Sequence, residues 1–114
     1  MKKLLSTLLL MGCLCTVATA KEITNVCASH ILVPTEMDAI KLKSQIKTYE
    51  DFKYYARIYS TCPSGKTGGS LGCFGRGQMV KPFEEAAFNG LVGEVSDPVK
   101  TQFGYHLLWV TQKF

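Results

Sequence analysis

The sequence predicts a small α+β domain in which helices pack on a mixed sheet. Two segments of alternating pattern, residues 25–33 and 105–112, lie near opposite ends of the chain and read as strands. Between them, residues 36–47 and 50–59 place apolar side chains at helical spacing. A glycine-rich stretch then separates these helices from a short apolar set, Met79, Val80, Phe83 and Phe88.

In the first strand Val26, Ala28, His30 and Leu32 share one face, and Cys27, Ser29, Ile31 and Val33 share the other. Pro34 ends it. Thr35 offers a helix N-cap, with Asp38 three residues on as a weaker capping box. Ala39, Leu42 and Ile46 mark the buried stripe of the first helix; Phe52, Tyr55, Ala56 and Tyr59 mark that of the second. Both helices are expected on one face of the sheet.

Residues 60–66 read as irregular, with Pro63 and Gly65 as breakers. Residues 71–74 suggest a brief strand and residues 75–77 a turn. A short helix follows over residues 81–88, with Pro82 tolerated in its first turn and Gly90 just past its end. Residues 95–99 suggest another short strand. In the last strand Tyr105, Leu107, Trp109 and Thr111 oppose His106, Leu108 and Val110. Were the first and last strands neighbours, both histidines of the chain would point to one face.

The chain opens with Lys2 and Lys3, an apolar run over residues 4–17, then Ala18-Thr19-Ala20, the form of a secretory signal peptide cleaved after Ala20. The run is shorter than the ~20 residues that span a bilayer, so no stable membrane span is expected. A lipoprotein site at Leu10-Met11-Gly12-Cys13, with Cys13 acylated, is the second reading. The expected mature domain covers residues 21–114, long enough for a single modest core. Its formal charge falls from +4 to +2 with the loss of Lys2 and Lys3. With no Lys/Arg block left, neither nucleic acid nor an anionic membrane is called for.

Of five cysteines, Cys27, Cys62 and Cys73 remain, so at least one thiol stays unpaired. No Cys-x-x-Cys is present, and the Cys and His spacings match no common zinc finger. Nor do the glycines form a phosphate cradle, because Gly65-Lys66-Thr67 lacks the upstream glycine of a P-loop. The residues therefore describe an apolar pocket, two imidazoles and a thiol, and no metal or cofactor. Taken singly, a strand histidine is an ordinary structural residue, and Met79, Val80 and Phe83 could be plain core. The residues alone do not name a reaction.

Several motifs in order resemble the parvulin-type peptidyl-prolyl cis-trans isomerases (PpiC, or rotamase, domains). They are Ala28-Ser29-His30-Ile31-Leu32-Val33, Cys62-Pro63-Ser64, Gly68-Gly69-Ser70-Leu71-Gly72, Gly75-Arg76-Gly77-Gln78-Met79-Val80, Phe83-Glu84 and residues 99–106. The resemblance covers essentially all of residues 21–114. It implies a four-stranded antiparallel sheet wrapped by about four helices. It also implies that His30 and His106 are paired imidazoles under the active site, supported by the Thr101 hydroxyl, and that Cys62 is a thiol beside the substrate carbonyl. Leu71, Met79, Val80 and Phe83 match the proline-ring pocket, with Phe103 near its rim.

The implied function is acceleration of Xaa-Pro rotation in exported proteins, periplasmic or secreted, by a monomer acting on unfolded or partly folded polypeptides. A holding chaperone of the same fold with little catalysis is the alternative. Two departures from the family pattern stand out. Val33 is followed by Pro34-Thr35-Glu36, where phosphate-reading relatives carry cations, and Ser70 stands where an acidic residue is common.

Overall fold

The computed structural model describes residues 22–114. The expected signal peptide, residues 1–20, and Cys13 within it lie outside them. Nine residues of β1 (Asn25–Val33) lead into α1 (Glu36–Gln45) and α2 (Tyr49–Tyr59). A 3-10 turn (Pro63–Thr67), β2 (Ser70–Gly75), α3 (Lys81–Asn89), β3 (Val99–Thr101) and β4 (Gly104–Lys113) complete the domain. The strands form one antiparallel sheet in the order β2-β1-β4-β3.

Local chemistry sets the helix ends. Thr35 Oγ1 accepts the Asp38 N–H at 3.1 Å and starts α1. Thr48 and Asp51 form a reciprocal capping box at α2, an N-terminus that the apolar spacing alone placed one residue later. Pro82 sits in the first turn of α3, where its missing N–H costs nothing.

The core lies on both faces of the sheet. On one, α1 and α2 bury Leu42, Ile46 and Phe52 against Ile31, Val33, Leu107 and Trp109. On the other, α3 buries Phe83, Ala87 and Phe88 against Val26, Ala28, Leu108 and Val110. Each large side chain so buried contributes roughly 1.5–3 kcal/mol. The alternation read from β1 and β4 is the division between these two clusters.

Four further details differ from the sequence reading. Residues 63–67 are a 3-10 turn, closed by Gly65 N–H to Cys62 O at 2.9 Å and Gly68 N–H to Gly65 O at 3.0 Å. Pro63 pre-sets its first dihedral, and Gly68 ends it at φ 76°. The short strand expected over residues 95–99 begins only at Val99; Val95 makes a single bridge to Trp109. Pro98 lacks the N–H that a ladder needs there. Gly90 follows α3 at φ −72°, not in the left-handed region. A Cβ there would sit 2.9 Å from Ala86 O and 3.5 Å from Val110 Cγ2, so the glycine serves close packing of α3 on β4. Lastly, α1 stops at Gln45, two residues short of the expected end, with Ile46 extended at ψ 114°.

Cys27 and Cys73 face each other across the β1–β2 pair and are joined by a disulfide, a pairing the sequence left open. Cys62 is the free cysteine among the described residues.

Candidate active site

The β1–β4 register places His30 opposite Leu108 and His106 opposite Leu32. The two imidazoles thus lie diagonally on neighbouring strands and project to the α3 side of the sheet. Their Nδ1 atoms are 3.0 Å apart and their rings stack at 5.2 Å with 21° between planes. Phe83, from α3, meets both edge-on, at 5.5 Å from His30 and 5.1 Å from His106.

The outer ring nitrogens are also held. His106 Nε2 lies 2.8 Å from Thr101 Oγ1, which accepts the Phe103 N–H at 3.1 Å. His30 Nε2 lies 3.1 Å from Ser64 Oγ, and the Ser64 hydroxyl donates to Cys62 Sγ at 3.3 Å. Both imidazoles are buried, 5% and 4% exposed. Burial first, and then the charge of His106, lowers the pKa of His30 to about 4; burial also lowers that of His106. At neutral pH each ring therefore carries one N–H.

One assignment then gives every hydrogen its own acceptor. The Phe103 N–H donates to Thr101 Oγ1, and the Thr101 hydroxyl donates to His106 Nε2. The His106 Nδ1–H donates to His30 Nδ1, and the His30 Nε2–H donates to Ser64 Oγ. The reverse assignment would have Thr101 Oγ1 accept twice and leave its own hydrogen without an acceptor. The chain of bonds runs one way, from a β3–β4 backbone amide to the Cys62 sulfur.

Beside this pair opens a cleft of about 450 Å³. Leu71, Met79, Val80, Phe83 and Phe103 line it together with His30, His106 and Cys62. All the candidate residues named from sequence thus meet here, except that Thr101 stands behind His106, buried and not in the wall. Phe103 is 60% exposed, as a rim residue would be. Leu32, Thr61, Pro63 and Gln78 also line the cleft, and sequence reasoning gave none of them a role. Ser64 was likewise passed over. Its only signal is its place two residues after Cys62, and a serine in a Pro-Ser-Gly segment otherwise reads as turn chemistry.

The glycines explain how the loop reaches the histidines. Gly69 has φ +86°, and a side chain there would collide with the His30 carbonyl, while its own carbonyl accepts the His30 N–H at 2.9 Å. The cleft lining contains no Asp, Glu, Lys or Arg. It can hold a compact apolar ring against Phe83 while presenting a neutral polar array and a thiol to the adjoining group.

The PPIC-type PPIase (rotamase) domain model matches residues 30–112. The chain belongs to the PPIC-type peptidyl-prolyl isomerase family. This rotamase domain is 55% identical over 87 residues to the foldase protein PrsA of Geobacillus kaustophilus, covering 75% of this chain and 31% of that protein. It thus spans about a third of the length of the curated relatives it matches. Among solved structures, PrsA from Bacillus cereus superposes with a TM-score of 0.75 at 42% identity, covering 85% of this chain and 41% of that one. Pin from the archaeon Cenarcheaum symbiosum superposes at 0.69 with 45% identity, covering 81% and 96%. The latter match shows that the rotamase fold can make up nearly a whole chain. The sheet is four-stranded and antiparallel throughout, as the resemblance implies and not mixed as the element order suggests, with three α-helices and the 3-10 turn around it.

Proposed function

We propose that this chain accelerates cis-trans rotation of Xaa-Pro bonds in exported polypeptides by binding the twisted amide without covalent chemistry. The observation that carries this reading is the cleft itself: an apolar ring pocket built on Phe83 and closed by a fixed, neutral histidine pair. Rotation about Xaa-Pro meets a barrier of about 20 kcal/mol from amide resonance. Lowering it requires tighter binding of the twisted amide than of either planar form. No bond breaks, so neither a strong nucleophile nor a metal is needed.

In this reading Leu71, Met79, Val80 and Phe83 hold the pyrrolidine ring while the preceding carbonyl turns past Cys62. Twisting strips the carbonyl of its resonance polarity and returns a lone pair to nitrogen. Surroundings of low polarity favour that state. His30, His106, Thr101 and Ser64 act together by fixing where the Cys62 sulfur sits, and Cys62 tunes the local environment. Phe103 covers the rim.

The site has no preference for phosphate on the residue before proline. The Pro34-Thr35 connection carries no cation, and the cleft lining is uncharged. Arg57 and Lys66 line a neighbouring hollow that shares Thr61, Cys62 and Pro63 with the cleft. Export is supported by the leader-like start and by the Cys27–Cys73 disulfide, since such bonds persist in oxidising compartments. The clients would be unfolded or partly folded chains, bound by a monomer.

The test is NMR exchange spectroscopy on short peptides with Leu, Glu or phosphoserine before proline. Accelerated exchange with Leu at least as fast as phosphoserine is expected. Fastest turnover of the phosphopeptide would remove the specificity reading, and binding without acceleration would leave a holding chaperone.

A further inference from the structure

Glu84 is buried, 4% exposed, yet it does not line the cleft. It follows Phe83 on α3, and its carboxylate reaches back to the turn that joins β2 to α3. Oε1 accepts the Gly77 N–H at 2.8 Å, and Oε2 accepts from Arg76 Nη1 at 3.1 Å. The Arg76 guanidinium also lies 4.1 Å from the centre of the Phe88 ring, one turn further along α3. Within the turn, Gln78 Oε1 accepts the Gly75 N–H at 3.1 Å. Gly77, at φ +89°, supplies the left-handed residue the turn needs.

The same turn delivers Gln78, Met79 and Val80 to the cleft, while α3 delivers Phe83. Val80 is itself the N-cap of α3, and its carbonyl accepts the Glu84 backbone N–H at 2.9 Å. The turn before it, which carries Gln78 and Met79, is tied to α3 by the side chain of the residue after Phe83. We propose that Glu84 is a positioning residue of the proline pocket: its carboxylate clamps the turn over residues 76–79 to α3 and sets Met79 against Phe83 before a peptide arrives. This inference rests on the isomerase reading of the cleft.

Burying a carboxylate is costly unless its oxygens are satisfied, and an apolar residue would fill the site at no such cost. Here both oxygens are satisfied, and both by the turn. The Gly77 hydrogen bond outweighs the effect of burial and, with Arg76, holds the carboxyl below its ordinary range. An acid in the first turn of α3 also suits the helix dipole. That role alone would affect folding stability and leave substrate binding untouched, which makes the two roles separable.

The experiment measures kcat and KM on a Leu-Pro peptide, with thermal midpoints, for the full chain and for Glu84→Ala, Glu84→Gln and Arg76→Met. Glu84→Ala should raise KM about tenfold with kcat held within about twofold, the scale of one lost hydrogen bond to a charged group. Glu84→Gln keeps an acceptor for Gly77 and should recover most of that loss. Arg76→Met should raise KM modestly. The Gly77 amide proton should move upfield in Glu84→Ala and stay near its place in Glu84→Gln.

A lowered midpoint with unchanged KM in Glu84→Ala would overturn the proposal. So would a fall in kcat at constant KM. Should Glu84→Ala fail to fold, unchanged KM in both other variants would overturn it equally. If the parent chain does not accelerate exchange, the isomerase reading fails by itself. Peptide Kd then replaces KM, and a weaker Kd in the variants still supports the clamp.

Discussion

At the scale of the residue, the histidine pair joins packing to pH behaviour. His30 is neutral because burial, and next the nearby His106, lower its pKa from 6.5 to about 4. A folded-state value below the unfolded one means that the unfolded chain takes up the proton first. Stability from this group is therefore complete above about pH 6.5, erodes as pH falls, and is lost by about pH 4. For His30 alone the loss comes to about 3 kcal/mol. Denaturant titrations between pH 7 and pH 4 should record it, and His30→Asn should flatten the profile. Isomerase activity should hold level above pH 6 and drop below about pH 5, where a charged ring disrupts both the apolar wall and the one-way chain of hydrogen bonds. Residue types pointed to His30, His106 and Cys62 because imidazoles and thiols are few in this chain. Ser64 and Glu84 fall inside motifs that carry the resemblance but received no role, since a loop serine and a helical glutamate are ordinary in sequence and become specific only through the partners that folding brings to them.

Among the elements, the legible ones had regular periods. The alternation in β1 and β4 and the stripes of α1 and α2 follow from burial against two faces, so composition and spacing revealed them. β3 was expected too early, at residues 95–99, because Pro98 leaves the ladder to begin at Val99 and three residues are too few to make a pattern. The 3-10 turn was hidden for a related reason: the bonds that close it run between backbone groups, and its sequence reads equally well as loop. The glycine stretch could be seen but not interpreted. Gly69 is needed because the loop backbone lies directly against the His30 carbonyl at positive φ. Gly69→Ala should destabilise the domain by at least about 2 kcal/mol, through backbone strain and overpacking. Thermal unfolding would measure it, and Gly72→Ala offers a control, having positive φ but open space around the added carbon. Equal losses in the two variants would show that strain alone, and not contact with β1, sets the requirement.

For the molecule as a whole, the sheet is held by pairs far apart in sequence. The Cys27–Cys73 bond closes a separation of 46 residues that contains α1, α2 and the Cys62 loop. Constraining that length in the unfolded chain stabilises the fold by roughly 2–4 kcal/mol. Reduction, or a Cys27→Ala/Cys73→Ala double variant, should lower the denaturation midpoint accordingly. Activity below the new midpoint should persist, because neither cysteine lines the cleft. Unchanged stability on reduction would mean that the unfolded chain keeps this pairing without the covalent bond.

β1 and β4, first and last among the described strands, are also partners in the sheet. The Thr24 and Asn25 N–H groups donate to Phe114 O, and the Phe114 N–H donates to Asn25 O. Thr24 and Phe114, the two ends of the sheet-forming segment, therefore lie at one corner, on the opposite end of β1 from the Val33 connection. A unit with that geometry behaves as a cassette: spliced into a surface loop of another protein, it would ask its host to separate two points by only the width of a strand pair.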